Sequence, residues 1–204
     1  VLPGKNQPQF SIYHFNFIEN KNGEIKLKPT QQKNKTYTGS FVVPTTAKIL
    51  SLLVKEDEII DDNKKKGFLI AVHDIKGKPI MGVGHALTNI YNGLGEYLFK
   101  IEKNNDKALE VMNKEWNDFP KAHYDLYKQY LTINYQVNRS NIVPIIEKLI
   151  PEILSSPNAV EEDYKMLFDY AKAVKLTDKA NQIESSIHSK FPKGNWKIVA
   201  ESAD

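Results

Sequence analysis

The chain has 204 residues, with 28 basic and 25 acidic side chains, a formal net charge of +3 and 41% hydrophobic residues, enough apolar material for one large core or two small ones. It holds no cysteine, which excludes disulfide frameworks, cysteine zinc sites, thiol nucleophiles and thiol redox chemistry, and which fits an oxidising compartment. Arg139 is the single arginine; because arginine supplies the fork that reads phosphates and base edges, the pattern argues against a nucleic-acid partner.

The sequence opens Val1-Leu2-Pro3 without an initiator methionine, and the expectation is a processed or trimmed piece of a longer protein, which export would explain. No apolar stretch is long enough to cross a bilayer. The lysines are scattered apart from the run Lys64, Lys65, Lys66, which reads as solvated surface.

From Gln9 to about Met81, short runs of aromatic and β-branched residues alternate with turn chemistry, the signature of half-buried strands. Tyr13, Phe15 and Phe17 alternate with His14 and Asn16; after an Asn22-Gly23 turn, Ile25 and Leu27 alternate with Glu24, Lys26 and Lys28, which predicts a hairpin. Further strands are predicted over Thr36–Val43, Ala47–Lys55 and Gly67–Asp74, with a turn at Lys76-Gly77 and an edge position at Pro79. Five to seven short strands with no helix between them predict an antiparallel β-sandwich of immunoglobulin-like kind over residues 1–83.

From about Gly84 the apolar spacing changes to the helical period. Helices are predicted over 84–103, 106–118, 121–136, 140–155, 160–174 and 177–190, joined by loops short enough to force antiparallel neighbours. Residues 84–204 are therefore expected to form an all-α domain, and the whole chain an α+β protein in two parts.

Asp106-Lys107-Ala108 and Phe119-Pro120-Lys121 recur as Asp178-Lys179-Ala180 and Phe191-Pro192-Lys193, both displaced by 72 residues. Half that offset is close to the roughly 34-residue period of a tetratricopeptide unit, and a further helix pair fits between the copies. The helical part thus resembles the tetratricopeptide family: Tyr91, Leu94, Gly95, Ala108, Met112 and Pro120 fall near its large, small, small and proline positions, and Tyr164, Leu167, Ala171, Ala180 and Pro192 do so in the third unit. The middle unit departs, because Pro144 and Pro151 fall inside its second helix and Pro151 should kink or shorten it. Three stacked pairs would build a continuous core and leave an outer surface suited to peptides or other domains.

A wider resemblance covers nearly the whole chain. Asp61-Asp62-Asn63, Gly77-Lys78-Pro79, Asp106-Lys107-Ala108 and Phe191-Pro192-Lys193-Gly194 follow the order seen in bacterial envelope proteins of the thioredoxin-like, thiol-disulfide isomerase group. The resemblance implies a non-catalytic front region in the periplasm or cell envelope, whose partner is a protein, a peptide or a downstream thioredoxin-like domain. It transfers no redox residue to this chain.

Local chemistry adds little. Gly82-Val83-Gly84 sits where a strand gives way to a helix, but Leu87 stands at the third glycine position of a dinucleotide loop, so a flexible joint is the better account. His14, His73, His85, His123 and His188 are far apart, and the acidic stretch Glu56 to Asp62 lacks the ordered ligand spacing of a calcium loop. No nucleophile elbow, phosphate loop or His-Glu-x-x-His segment occurs, so no enzyme activity, cofactor or metal is expected. Tyr124, Tyr127, Leu131 and Tyr135 share a helical stripe with Tyr130 beside it; packing is the plain reading, and Tyr124, Tyr127 and Tyr130 are the candidate partner-binding residues of the sharper one. The functional expectation is a non-enzymatic interaction or spacer module. The rivals are a carbohydrate- or small-ligand-binding sandwich, with recognition near Phe10 to Phe17, and a hydrolase assembled from distant residues.

Overall fold

A computed structural model describes residues 7–31 and 36–196; the opening Val1-Leu2-Pro3 lies outside them. The chain is α+β, with antiparallel strands followed by helices. Strands β1 (Gln9–Phe15), β2 (Gly23–Leu27), β5 (Ile49–Glu56) and β6 (Ile59–Ile60) pair in the order β2-β1-β5-β6, β7 (Leu69–Ala71) also pairs with β5, and β3 (Thr30–Gln31) with β4 (Tyr37–Thr38) makes a separate ribbon.

The hairpin predicted at the start forms, with Ile12 opposite Ile25 and His14 opposite Gly23. Its connection is longer than an Asn22-Gly23 turn. The buried Asn16 side chain donates to Thr46 O at 3.0 Å and accepts from Glu19 N at 3.1 Å, while Asn22 Oδ1 accepts from Asn16 N, so residues 16–22 fold into a loop of their own. The strand predicted over Thr36–Val43 shrinks to β4, because the stretch beyond Thr38 gains no ladder partner among the described residues.

Alternation gives the sheet two apolar faces. Ile12, Leu50, Leu52, Ile25 and Leu27 gather on one, with Ala47, Phe41 and Val72 against them. Phe15, Ile49, Leu69 and Ala71 lie on the other and share a core with Val83, Ala86, Ile90, Phe99 and Ile101. Those last residues come from the first helical segment: α1 (Val83–Asn89), a π-helical turn over Ile90–Leu94 and α2 (Gly95–Phe99).

Helices α3 (Asn105–Asp118) and α4 (His123–Val137) follow, then α5 (Ile142–Leu154), α6 (Glu161–Ala173) and α7 (Thr177–Lys190). Asn104 caps α3 by accepting from Lys107 N at 2.9 Å, and Asp163 reaches back to Val160 N at 3.0 Å to close the first turn of α6. Pro151 sits within α5, and the helix ends less than a turn beyond it.

The repeat has a local counterpart. Helices α3 and α7 are both 14 residues long with bounds displaced by the same 72 positions, and each ends at a phenylalanine of matching backbone: Phe119 at φ −126°, ψ 62° and Phe191 at φ −124°, ψ 58°. In both, the alanine in the first turn is buried.

Compactness divides the chain into units 1–137 and 138–204. The change of period at 83/84, where the sequence placed a domain boundary, lies inside the first unit, because strand residues and α1 bury their apolar side chains in one shared core. In the second unit α6 and α7 form a hairpin around Lys175, which takes φ 63°. Glu161 accepts from Asn195 N and Trp196 N at 3.2 and 2.7 Å, holding the end of the described chain against α6, with Trp196 edge-on to Phe168.

Candidate functional site

A cleft of about 670 Å³ opens at the end of the sheet away from α1. Register explains its lining. Ser11 faces Lys26 on one side and Leu53 on the other, and Tyr13 faces Glu24 and Ser51, so these side chains share one sheet face. Towards Phe15 that face is covered, with Tyr13 edge-on to Phe99 at 5.3 Å; past Tyr13 the cleft lies over it.

Phe10 and Tyr37 form a tilted ring pair, centroids 5.0 Å apart, that walls the cleft on its apolar side. Ser11 Oγ donates to Glu24 Oε1 at 2.7 Å. Burial, and then the Glu24 carboxylate, raise the Tyr13 hydroxyl above its ordinary value, so it stays a neutral donor. Lys26, Lys28 and Lys55 set a positive rim around one Glu24 charge. Strand β2 lies at the edge of the sheet and contributes Glu24, Lys26 and Leu27 to the lining.

The tyrosines singled out on α4 are placed differently. Tyr127 is fully buried, at 0% exposure, while Tyr124 and Tyr130 are half-buried. Tyr130 stacks on Trp116 at 4.0 Å, and His123 stacks on Trp116 at 3.6 Å, so the indole joins α3 to α4. Burial raises the Tyr130 hydroxyl. Periodicity within α4 could not reveal this stack, because its central ring belongs to another helix.

A second polar group lies where α1 crosses α3. Gly82 precedes α1 at φ 96° and provides no side chain to cap it. Glu115 of α3 does so instead: its Oε1 accepts from Gly82 N, and its Oε2 from Gly84 N at 2.8 Å. Burial pushes the Glu115 carboxyl up, and the two N–H donors hold it back in part. A Cβ on Gly84 would lie 2.7 Å from Val111 O and from Glu115 Cβ, so this glycine serves close helix approach where a flexible joint was expected. Thr88 Oγ1 donates to Gly84 O at 2.8 Å and lies 3.2 Å from Ala108 O. His85, on the same helix, is depressed to about 4 by burial, and its Nδ1 has no hydrogen-bond partner among the described residues.

Among the described residues no three His, Cys, Asp or Glu side chains are placed to hold one metal ion, and no helix is long and apolar enough to cross a membrane. Comparisons with protein families, curated proteins and solved structures found no match.

Proposed function

We propose that this chain is a non-enzymatic binding module, the accessory region of a longer thioredoxin-like envelope protein, and that it takes an extended acidic segment of a protein partner in the cleft at the end of the sheet. The observation that carries this reading is the cleft itself: an edge strand, an aromatic wall and a lysine rim meet in one concavity. An edge strand has free ladder groups that an extended peptide can pair with, and alternate side chains then meet the pocket walls. Lys26, Lys28 and Lys55 against Glu24 favour an acidic sequence.

The finer fold reading belongs with this proposal. The all-antiparallel pairing and the β3–β4 ribbon support an immunoglobulin-like arrangement of the strands, and the displacement of α3 onto α7 by 72 residues supports tetratricopeptide-like helix pairs. The envelope assignment rests on the segment order around Asp61, Gly77, Asp106 and Phe191. A thioredoxin-like reading frame after Asp204 is the expected finding, and a stop codon there contradicts it.

Charge reversal tests the cleft. Fluorescence anisotropy of a labelled, extended Glu-rich peptide is expected to show saturable binding that Lys26→Glu with Lys55→Glu weakens about tenfold or more, while a Lys-rich peptide of the same length gains. Equal binding of both peptides by both proteins overturns the reading. The Phe10–Tyr37 pair favours a second reading, a sugar stacked on the aromatic wall; a glycan array with selective binding that Tyr37→Ala removes would replace the peptide by a glycan.

A further inference from the structure

A separate concavity of about 420 Å³ lies between the loop before β7 and the start of α3, within the size range of small-ligand sites, ~300–1,000 Å³. Five lysines line it, Lys64, Lys65 and Lys66 from the loop and Lys103 and Lys107 from the other wall, with Glu102 the one acidic side chain in the lining. The two groups of lysines are more than thirty positions apart in the sequence, so the fold makes this cluster.

The backbone holds the lysines there against its own preference. Asn63, Lys64 and Lys65 take φ of 49°, 56° and 64° in succession, followed by Gly67 at 63°, a left-handed run that residues with side chains seldom adopt. The loop is pinned by Gly67 N donating to Asp62 O at 2.8 Å, by Asn63 Nδ2 donating to Gly67 O at 2.8 Å, and by Glu102 N donating to Lys65 O at 2.9 Å. That last bond ties the triple-lysine loop to the strand of chain that carries Lys103. On the far wall Lys107 Nζ lies 4.4 Å above the Tyr91 ring, and Asn104 N donates to Tyr91 O at 2.9 Å. None of the five lysines forms an ion pair among the described residues, and all five are exposed.

We propose that this cleft binds a compact polyanion bearing several phosphate groups. Five ammonium groups around one concavity repel one another until an anion neutralises them, and a structured backbone that forces three of them together fits a site better than an idle surface. Lysine binds phosphate as a point charge from any direction, whereas planar carboxylates are held best by the arginine fork, which this cleft lacks.

Isothermal titration of the full chain with inorganic triphosphate tests the site. One saturable event is expected, weakened about tenfold or more by Lys64→Gln with Lys65→Gln and Lys66→Gln, and likewise by Lys103→Gln with Lys107→Gln. Lys172→Gln with Lys175→Gln, the same loss of two charges as in the Lys103 and Lys107 variant but on the other compact unit, should leave it within about twofold, and raising salt should weaken it steeply. Thermal unfolding of each variant shows that the fold persists. Phosphatidylcholine vesicles doped with a phosphorylated inositol lipid distinguish the sources: sedimentation with vesicles that the cleft variants abolish assigns a lipid headgroup, and triphosphate binding alone assigns a free anion. No saturable binding to either, or an equal loss in the Lys172 and Lys175 control, overturns the proposal.

Discussion

Glu115 is 4% exposed, and both of its oxygens accept from the start of α1. Replacing it by alanine orphans two buried N–H groups and leaves a void, so Glu115→Ala should cost about 2–4 kcal/mol in urea unfolding. Gly84→Ala attacks the same crossing from the other helix. Its new methyl would meet backbone at 2.7 Å, which a small shift of a flexible side chain cannot relieve, and a loss of at least about 1–3 kcal/mol is expected. His85 gives this crossing a pH dependence. The unfolded chain takes up a proton near 6.5, whereas the folded one does not until about 4; the histidine's contribution is therefore present above pH 6.5 and lost as pH falls towards 4. The loss amounts to roughly 3 kcal/mol, and His85→Gln should flatten the stability profile over that window. Glu115 acts with the opposite sign: with its carboxyl raised above the ordinary 4.5, its contribution is full below that value and fades as pH rises through the folded one.

At the scale of elements, Ala108 and Ala180 occupy the same position in α3 and α7, and both are buried. Ala108→Leu and Ala180→Leu should each overpack their helix pair by about 1–3 kcal/mol. Hydrogen exchange should report the first in residues 1–137 and the second in 138–196. The helices were the most legible part of the sequence: a 3.6-residue period sustained over a dozen positions, with Pro120 and Pro192 marking the ends, placed α7 to the residue and α3 within one. Strands were less so. The stretch from Thr36 to Val43 has strand-like residues but, beyond Thr38, no ladder partner, and β6 at Ile59–Ile60 is too short for any period to show. Gly84 read as a hinge because close approach depends on what crosses it, and Glu115 sits thirty-one positions away. The lysine cleft and the Phe10–Tyr37 wall were invisible for the same reason: each joins segments that meet only in the fold.

For the whole molecule, a net charge of +3 conceals two local concentrations of lysine, one around the sheet-end cleft and one between the loop before β7 and α3. The two differ in kind. The first has an aromatic wall and an edge strand, and so suits a chain lying extended; the second has ammonium groups on facing walls, and so suits a compact anion. Large apolar side chains left exposed include Val42, Val43, Ile59, Ile70 and Ile75 on the strand part and Tyr97 and Val160 on the helical part, whereas Tyr127 of α4 is sealed. The most direct measurement is amide chemical-shift mapping of the full chain during titration with the Glu-rich extended peptide. The largest changes should fall on Phe10, Ser11, Glu24 to Lys28, Tyr37 and Lys55, with new protection of the β2 amides from exchange. Changes confined to the helices, or none at saturating peptide, would contradict the assignment of this chain as a binding module that works through its sheet.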